Sequence, residues 1–88
     1  MNAYYSMTSG LQERGTKLDA TSLKEAMAEA SNRIGNSPRI GNLTIYFCNE
    51  AGTECAVAQR HDYIEPVGAT DENGNIEVRA HFGAWKTF

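Results

Sequence analysis

Residues 16–60, TKLDATSLKEAMAEASNRIGNSPRIGNLTIYFCNEAGTECAVAQR, decide the fold. A short strand, Thr16 to Ala20, with Leu18 and Ala20 pointing the same way, leads into a helix over Ser22 to Ile34. Ser22 and Glu25 have the S-x-x-E spacing of a capping box, in which the two residues reciprocally satisfy orphan backbone donors of the first turn. Leu23, Ala26, Met27, Ala30 and Ile34 then form one apolar stripe at helical spacing. Lys24, Glu25, Ala28, Glu29, Asn32 and Arg33 cover the other faces, and the alanines predict a helix lying close to a sheet. Gly35 suits a helix stop, and Pro38 keeps the helix from resuming.

The hairpin that follows runs from Leu43 to Arg60. Asn49-Glu50-Ala51-Gly52-Thr53 reads as a type I turn closed by a glycine bulge. Its register pairs Asn49 with Thr53, and therefore Phe47 with Cys55, Ile45 with Val57 and Leu43 with Gln59. Apolar residues of both strands then share a face. Cys48 falls opposite Glu54 as a half-buried strand residue, and Cys55 falls on the opposite, core face. The two cysteines cannot bridge in this register and are expected as free thiols, which fits a reducing compartment.

Outward from this stretch, residues 3–8 alternate as a strand, with Ala3, Tyr5 and Met7 on one side and Tyr4, Ser6 and Thr8 on the other. Pro66 makes His61-Asp62-Tyr63-Ile64-Glu65-Pro66-Val67 an edge strand or extended loop. Asp71-Glu72-Asn73-Gly74-Asn75 is a second turn, either type I with a bulge or type I′. A last strand points Ile76, Val78, Ala80 and Phe82 inward and Glu77, Arg79 and His81 outward, and Gly83 ends it. The fold class is therefore α+β: one α-helix packed on a four- to five-stranded antiparallel β-sheet. Residues 1–88 make a single domain, small enough to bury only ~60–65% of its unfolded surface.

The start, Met1-Asn2-Ala3-Tyr4-Tyr5, lacks the basic and apolar regions of a secretory signal, and no run approaches the length of a membrane span. A cytoplasmic location without membrane contact is expected. The net charge of −3 is unevenly spread: residues 1–48 carry five Lys/Arg and four Asp/Glu, residues 49–88 three and seven. A nucleic-acid binder needs clustered positive charge, so direct nucleic-acid binding is not expected. An acidic half instead suits a protein partner with a basic surface.

Chemistry-bearing patterns are sparse. His61 and His81 stand alone, and no C-x-x-C or H-E-x-x-H occurs, so neither metal nor cofactor is expected. His61 and Asp62 are adjacent, and neighbours on a strand point to opposite faces. The chain reads as a non-enzyme. The residues suited to partner binding are the acidic stretch Asp62, Glu65, Asp71, Glu72 and Glu77, with Tyr63 among them, and Trp85 in a tail that also holds Phe88. Exposed carboxylates meet a partner's Lys or Arg, and Tyr and Trp are favoured anchors. The other reading of Trp85 is that it folds back to complete a small core. A free sheet edge is a third way to bind.

The run Leu18-Asp19-Ala20-Thr21-Ser22-Leu23-Lys24-Glu25-Ala26, followed by Gly41-Asn42-Leu43-Thr44-Ile45-Tyr46-Phe47, resembles the small strand–helix–hairpin proteins of phages and mobile elements, among them anti-CRISPR inhibitors of type I systems. The resemblance covers residues 16–60. It implies a stoichiometric inhibitor that blocks the DNA or RNA path of a bacterial nucleic-acid-processing complex. Inhibitors of this shape tend to use a basic face; the acidic half of this chain would instead mimic nucleic-acid charge there. The alternative is a plain interaction module, antitoxin-like or a phage accessory protein, with a homodimer built through a sheet edge.

Overall fold

The computed structural model describes residues 3–10, 14–36, 39–68 and 70–88. Pro38 lies outside them. The chain forms β1 (Tyr4–Ser9), β2 (Thr16–Lys17), α1 (Leu23–Ile34), β3 (Gly41–Cys48), β4 (Glu54–Pro66), β5 (Val78–His81) and β6 (Lys86–Thr87). The strands make one curled antiparallel sheet in the order β2-β1-β3-β4-β5, with β6 also on β4. One helix on an antiparallel sheet is the architecture the sequence predicts.

The helix starts where its caps dictate. Ser22 is extended (φ −136°, ψ 160°) and its hydroxyl accepts the Glu25 N–H at 3.2 Å. The reciprocal half of the box is displaced: Glu25 accepts from the N–H and hydroxyl of Thr21 at 3.2 and 3.1 Å. Glu29, read from sequence as a surface residue, accepts from the N–H groups of Asp19 and Ala20 at 2.9 and 3.0 Å, and from Arg33 at 2.8 Å. It ties the β2–α1 connection to the helix. At the other end Gly35 takes a left-handed φ of 66° while its N–H reaches the Ser31 carbonyl, a conformation that favours glycine.

The helix face closes on the sheet through its small residues. Ala26 and Ala30 are fully buried, with Leu23, Met27 and Ile34 packed around them; Ala28 faces solvent. Beneath them lie Met7, Leu43, Ile45 and Ala58, and Leu18 seals the end. Full burial of a leucine or isoleucine contributes ~1.5–3 kcal/mol. In a chain of 88 residues these few side chains carry most of the stability.

The β3–β4 hairpin departs from the predicted register at one residue. The turn is as read: Asn49 N–H donates to the Thr53 carbonyl, and Gly52 (φ 81°) donates to the Asn49 carbonyl. Phe47 faces Cys55 and Tyr46 faces Ala56, but Ile45 then faces Ala58 and Leu43 faces Arg60. Val57 is the extra residue of a β-bulge. A bulge inverts the parity of everything beyond it. Ala58, Arg60 and Asp62 therefore turn toward the helix side, and Gln59, His61 and Tyr63 turn away. The expected pairs Ile45–Val57 and Leu43–Gln59 are corrected accordingly. Cys55, expected in the core, is exposed, and Cys48 is buried at 1% exposure on the other face beside Ser6 and Glu54. Both thiols are free.

Candidate protein-binding arm

Past Asp62, β4 has no strand partner on its β3 side among the described residues, because β3 begins at Gly41, the residue opposite Asp62. β4 continues with β5 alone, pairing Tyr63 with His81 through Pro66 with Val78. This two-stranded arm makes the molecule long: it measures 57 × 22 × 19 Å, with a radius of gyration of 15.8 Å. A compact chain of this length has about 12 Å.

The arm ends in the second predicted turn. Asp71 accepts the N–H groups of Asn73 and Asn75 on one carboxylate oxygen, both at 2.9 Å, and Gly74 has φ 82°. Among the described residues no other type than glycine has positive φ, so the turn is type I with a glycine bulge and not type I′. It repeats the chemistry of the first turn, where Asn49 Oδ1 accepts the Thr53 N–H at 3.0 Å.

The two faces of the arm differ. On one, Tyr63 stacks on His81 (centroids 4.6 Å apart, 7° between planes), and His61 lies next along the ladder at 6.5 Å. His81 Nε2 is 2.7 Å from Glu65, and His61 Nδ1 is 2.9 Å from Asn42 Oδ1. Glu77 and Arg79 share this polar face by alternation. The other face holds Ile64, Pro66, Ile76, Val78, Ala80 and Phe82. Ile76, Val78, Ala80 and Phe82 were predicted to point inward, and they do lie on the core side of the sheet, but the helix packs on β1 and β3 and does not reach them. Ile76, Val78 and Phe82 are 53%, 38% and 40% exposed.

The arm thus gathers most of the acidic candidates. Tyr63, Glu65, Asp71, Glu72 and Glu77 are all exposed on it. Asp62 and Trp85 are placed differently. Asp62 is not a surface residue: the Val57 bulge turns it inward, and it is 0% exposed. Its carboxylate receives the Arg60 guanidinium, with Nη2 bonded at 3.2 Å and Nε at 3.2 Å in ion-pairing range but off the line of a hydrogen bond. Arg39 Nε lies 3.5 Å away, and Gly83 N–H donates to Oδ1 at 3.1 Å. Trp85 is half-buried and packs against the core, its Nε1 donating to Ser31 Oγ at 3.2 Å, and Arg60 donates to the same oxygen at 3.1 Å. The Arg60 guanidinium sits 5.4 Å from the Trp85 ring and 5.5 Å from Phe82, a cation–π arrangement. These two residues anchor the root of the arm. The sequence reading missed Arg60 and Arg39 as their partners; the bulge that brings Arg60 inward leaves no trace in the residue pattern.

Elsewhere the surface is shallow. A hollow of about 440 Å³ is lined by Ala3, Tyr4, Lys17, Leu18, Asp19, Ala20 and Thr21, with Lys17 Nζ 5.0 Å from the Tyr4 ring. The Tyr4 phenol pKa is pushed up, first by its hydrogen bond with Cys48 and then by charge at Cys48, burial and Glu54. A second hollow of about 340 Å³ lies between Ser9, Gly10, Ile34, Arg39 and Ile40. Among the described residues no helix is long and apolar enough to cross a membrane, and no three His, Cys, Asp or Glu side chains gather at metal-binding distance. No protein family, no curated protein and no solved structure matches this chain.

Proposed function

We propose that this chain is a non-catalytic binding protein whose projecting hairpin arm engages a basic protein surface. The observation that carries the reading is the arm itself: residues 63–82 hold four carboxylates (Glu65, Asp71, Glu72, Glu77) and one Arg, held clear of the body on two strands. A narrow, negatively charged rod suits a groove lined by Lys and Arg, and such a groove is what a nucleic-acid path presents. In line with the resemblance of residues 16–60, the partner proposed is a bacterial nucleic-acid-processing defence complex, which the protein inhibits by occupying that path. Long-range attraction of this kind speeds encounter and weakens with salt, while desolvated pairs slow release.

The test combines Glu65→Gln, Asp71→Asn, Glu72→Gln and Glu77→Gln. Each site is exposed, so each change should alter stability by no more than about 0.5 kcal/mol. The wild-type protein, used as bait in bacterial lysate, should retain a nucleic-acid-processing complex and block its nucleic-acid binding. The combined variant should lose both. Unchanged affinity and unchanged salt dependence in the variant would remove the acidic arm as the contact.

A further inference from the structure

Among the described residues, the short strands β2 and β6 are blunted at their edges. β2 and β6 are two residues long, and each carries an exposed lysine, Lys17 and Lys86. Short strands and lysines are the usual protections against edge-to-edge pairing. In the arm the Val67 N–H donates to the Glu77 carbonyl at 2.7 Å, which sets the phase of the ladder. In an antiparallel pair bonded positions alternate, so Tyr63, Glu65 and Val67 turn their backbone toward β5, and Ile64 and Pro66 turn theirs away. Pro66 therefore lies where its missing N–H weakens the β4 edge. The same phase turns the N–H and C=O groups of Val78 and Ala80 outward from β5, the last strand of the sheet order. No proline or lysine guards this edge, and its adjoining apolar face is exposed.

We infer that the β5 edge is a self-association site, at which a second copy of this chain adds antiparallel about a twofold axis at Ala80. The strand is self-complementary about that point. Val78 falls beside the second copy's Phe82 on the apolar face, and Arg79 beside the second copy's His81 on the polar face. The two Ala80 residues face each other with Ile64 behind each. The four strands then share one continuous apolar surface in place of two narrow ones. Charge favours the same arrangement. Antiparallel pairing points the two acidic tips in opposite directions and runs each along the other body's edge, where Lys86 is exposed. The β5 edge is four residues long, a contact far smaller than the ~800 Å² per partner of a standard stable complex. The dimer is accordingly weak and concentration-dependent, and it is separate from recognition by the acidic side chains.

Sedimentation velocity across a wide concentration range tests this. The wild-type protein should shift from monomer toward dimer as concentration rises. Ala80→Pro should remain monomeric with an unchanged melt, because the lost N–H points away from β4. A second route does not depend on proline being tolerated. In a Cys55→Ser background, Ala80→Cys places two thiols about 5.5 Å apart by Cα in the paired dimer, within disulfide range. It should oxidise to a covalent dimer at least tenfold faster than Thr70→Cys in the same background. A wild-type protein monomeric throughout, an Ala80→Pro variant that associates like wild type, or equal oxidation of the two cysteine variants would each overturn the site.

Discussion

Asp62 is held by two arginines, one backbone N–H and complete exclusion from water. Removing one member of a buried ion pair strands the others and costs ~3–5 kcal/mol. Asp62→Ala should therefore shift the urea midpoint well down, whereas Glu72→Gln should leave it in place. Gly83 belongs to the same joint: a Cβ there would collide with the His61 carbonyl, so Gly83→Ala should also destabilise, seen in the same titration. Asp71 offers the opposite outcome. Its carboxylate does what the Asn49 amide does in the first turn, so Asp71→Asn should be neutral. Asp71→Ala loses two hydrogen bonds, each worth ~0.5–1.5 kcal/mol. Tyr4 has a pKa raised in the fold. Its contribution is fully present below the ordinary tyrosine value of 10.0 and is lost as pH rises through the higher folded value. NMR titration of the Tyr4 ring should show a raised midpoint that falls back toward the ordinary value in Cys48→Ala.

The helix was legible in the sequence because its instructions are local: Ser22, the stripe from Leu23 to Ile34, and Gly35 all act within one segment. The two turns were legible for the same reason. β4 was not, because its single bulge at Val57 is set by tertiary fit and not by residue type. One extra residue moved Asp62 from the surface reading into the core and moved Arg60 with it; Cys55, on the turn side of the bulge, keeps its predicted partner Phe47 and is exposed all the same. Deleting Val57 should remove the bulge while keeping Ala58, Arg60 and Asp62 opposite Ile45, Leu43 and Gly41, so Arg60 and Asp62 stay inward. The cooperative melt followed by circular dichroism should therefore survive the deletion. Ala26 and Ala30 mark the other tight element. Ala26→Leu should cost ~1–3 kcal/mol, since the helix has no room to retreat from the sheet.

The molecule as a whole is a small core with a long lever, and the lever is what composition conceals. Alternation of Ile76, Val78, Ala80 and Phe82 reads as a buried strand, because a sequence shows which residues share a face but not whether anything covers it. The acidic candidates Glu65, Asp71, Glu72 and Glu77 were readable as a group, since charge needs no partner to be counted. Replacing residues 66–78 with a two-residue Asn-Gly turn, so that the hydrogen-bonded pair Glu65–Arg79 flanks it, should leave the core melt nearly unchanged, because the helix packs on β1 and β3. The same replacement should eliminate binding to a basic partner.

Because β4 belongs both to the core and to the arm, its amides need not exchange with solvent as one unit. An isolated hairpin is marginal in water, so the arm amides should exchange through frequent fraying that starts at the turn. Fraying should stop at Asp62, where the carboxylate clasps Arg60 and Gly83. Hydrogen–deuterium exchange along this one strand should therefore show a step: slow at Ala58 and Arg60, whose amides face β3, and fast at Glu65, whose amide is bonded to β5. The boundary between rigid and yielding polypeptide would then fall inside a single continuous β-strand and not at a loop.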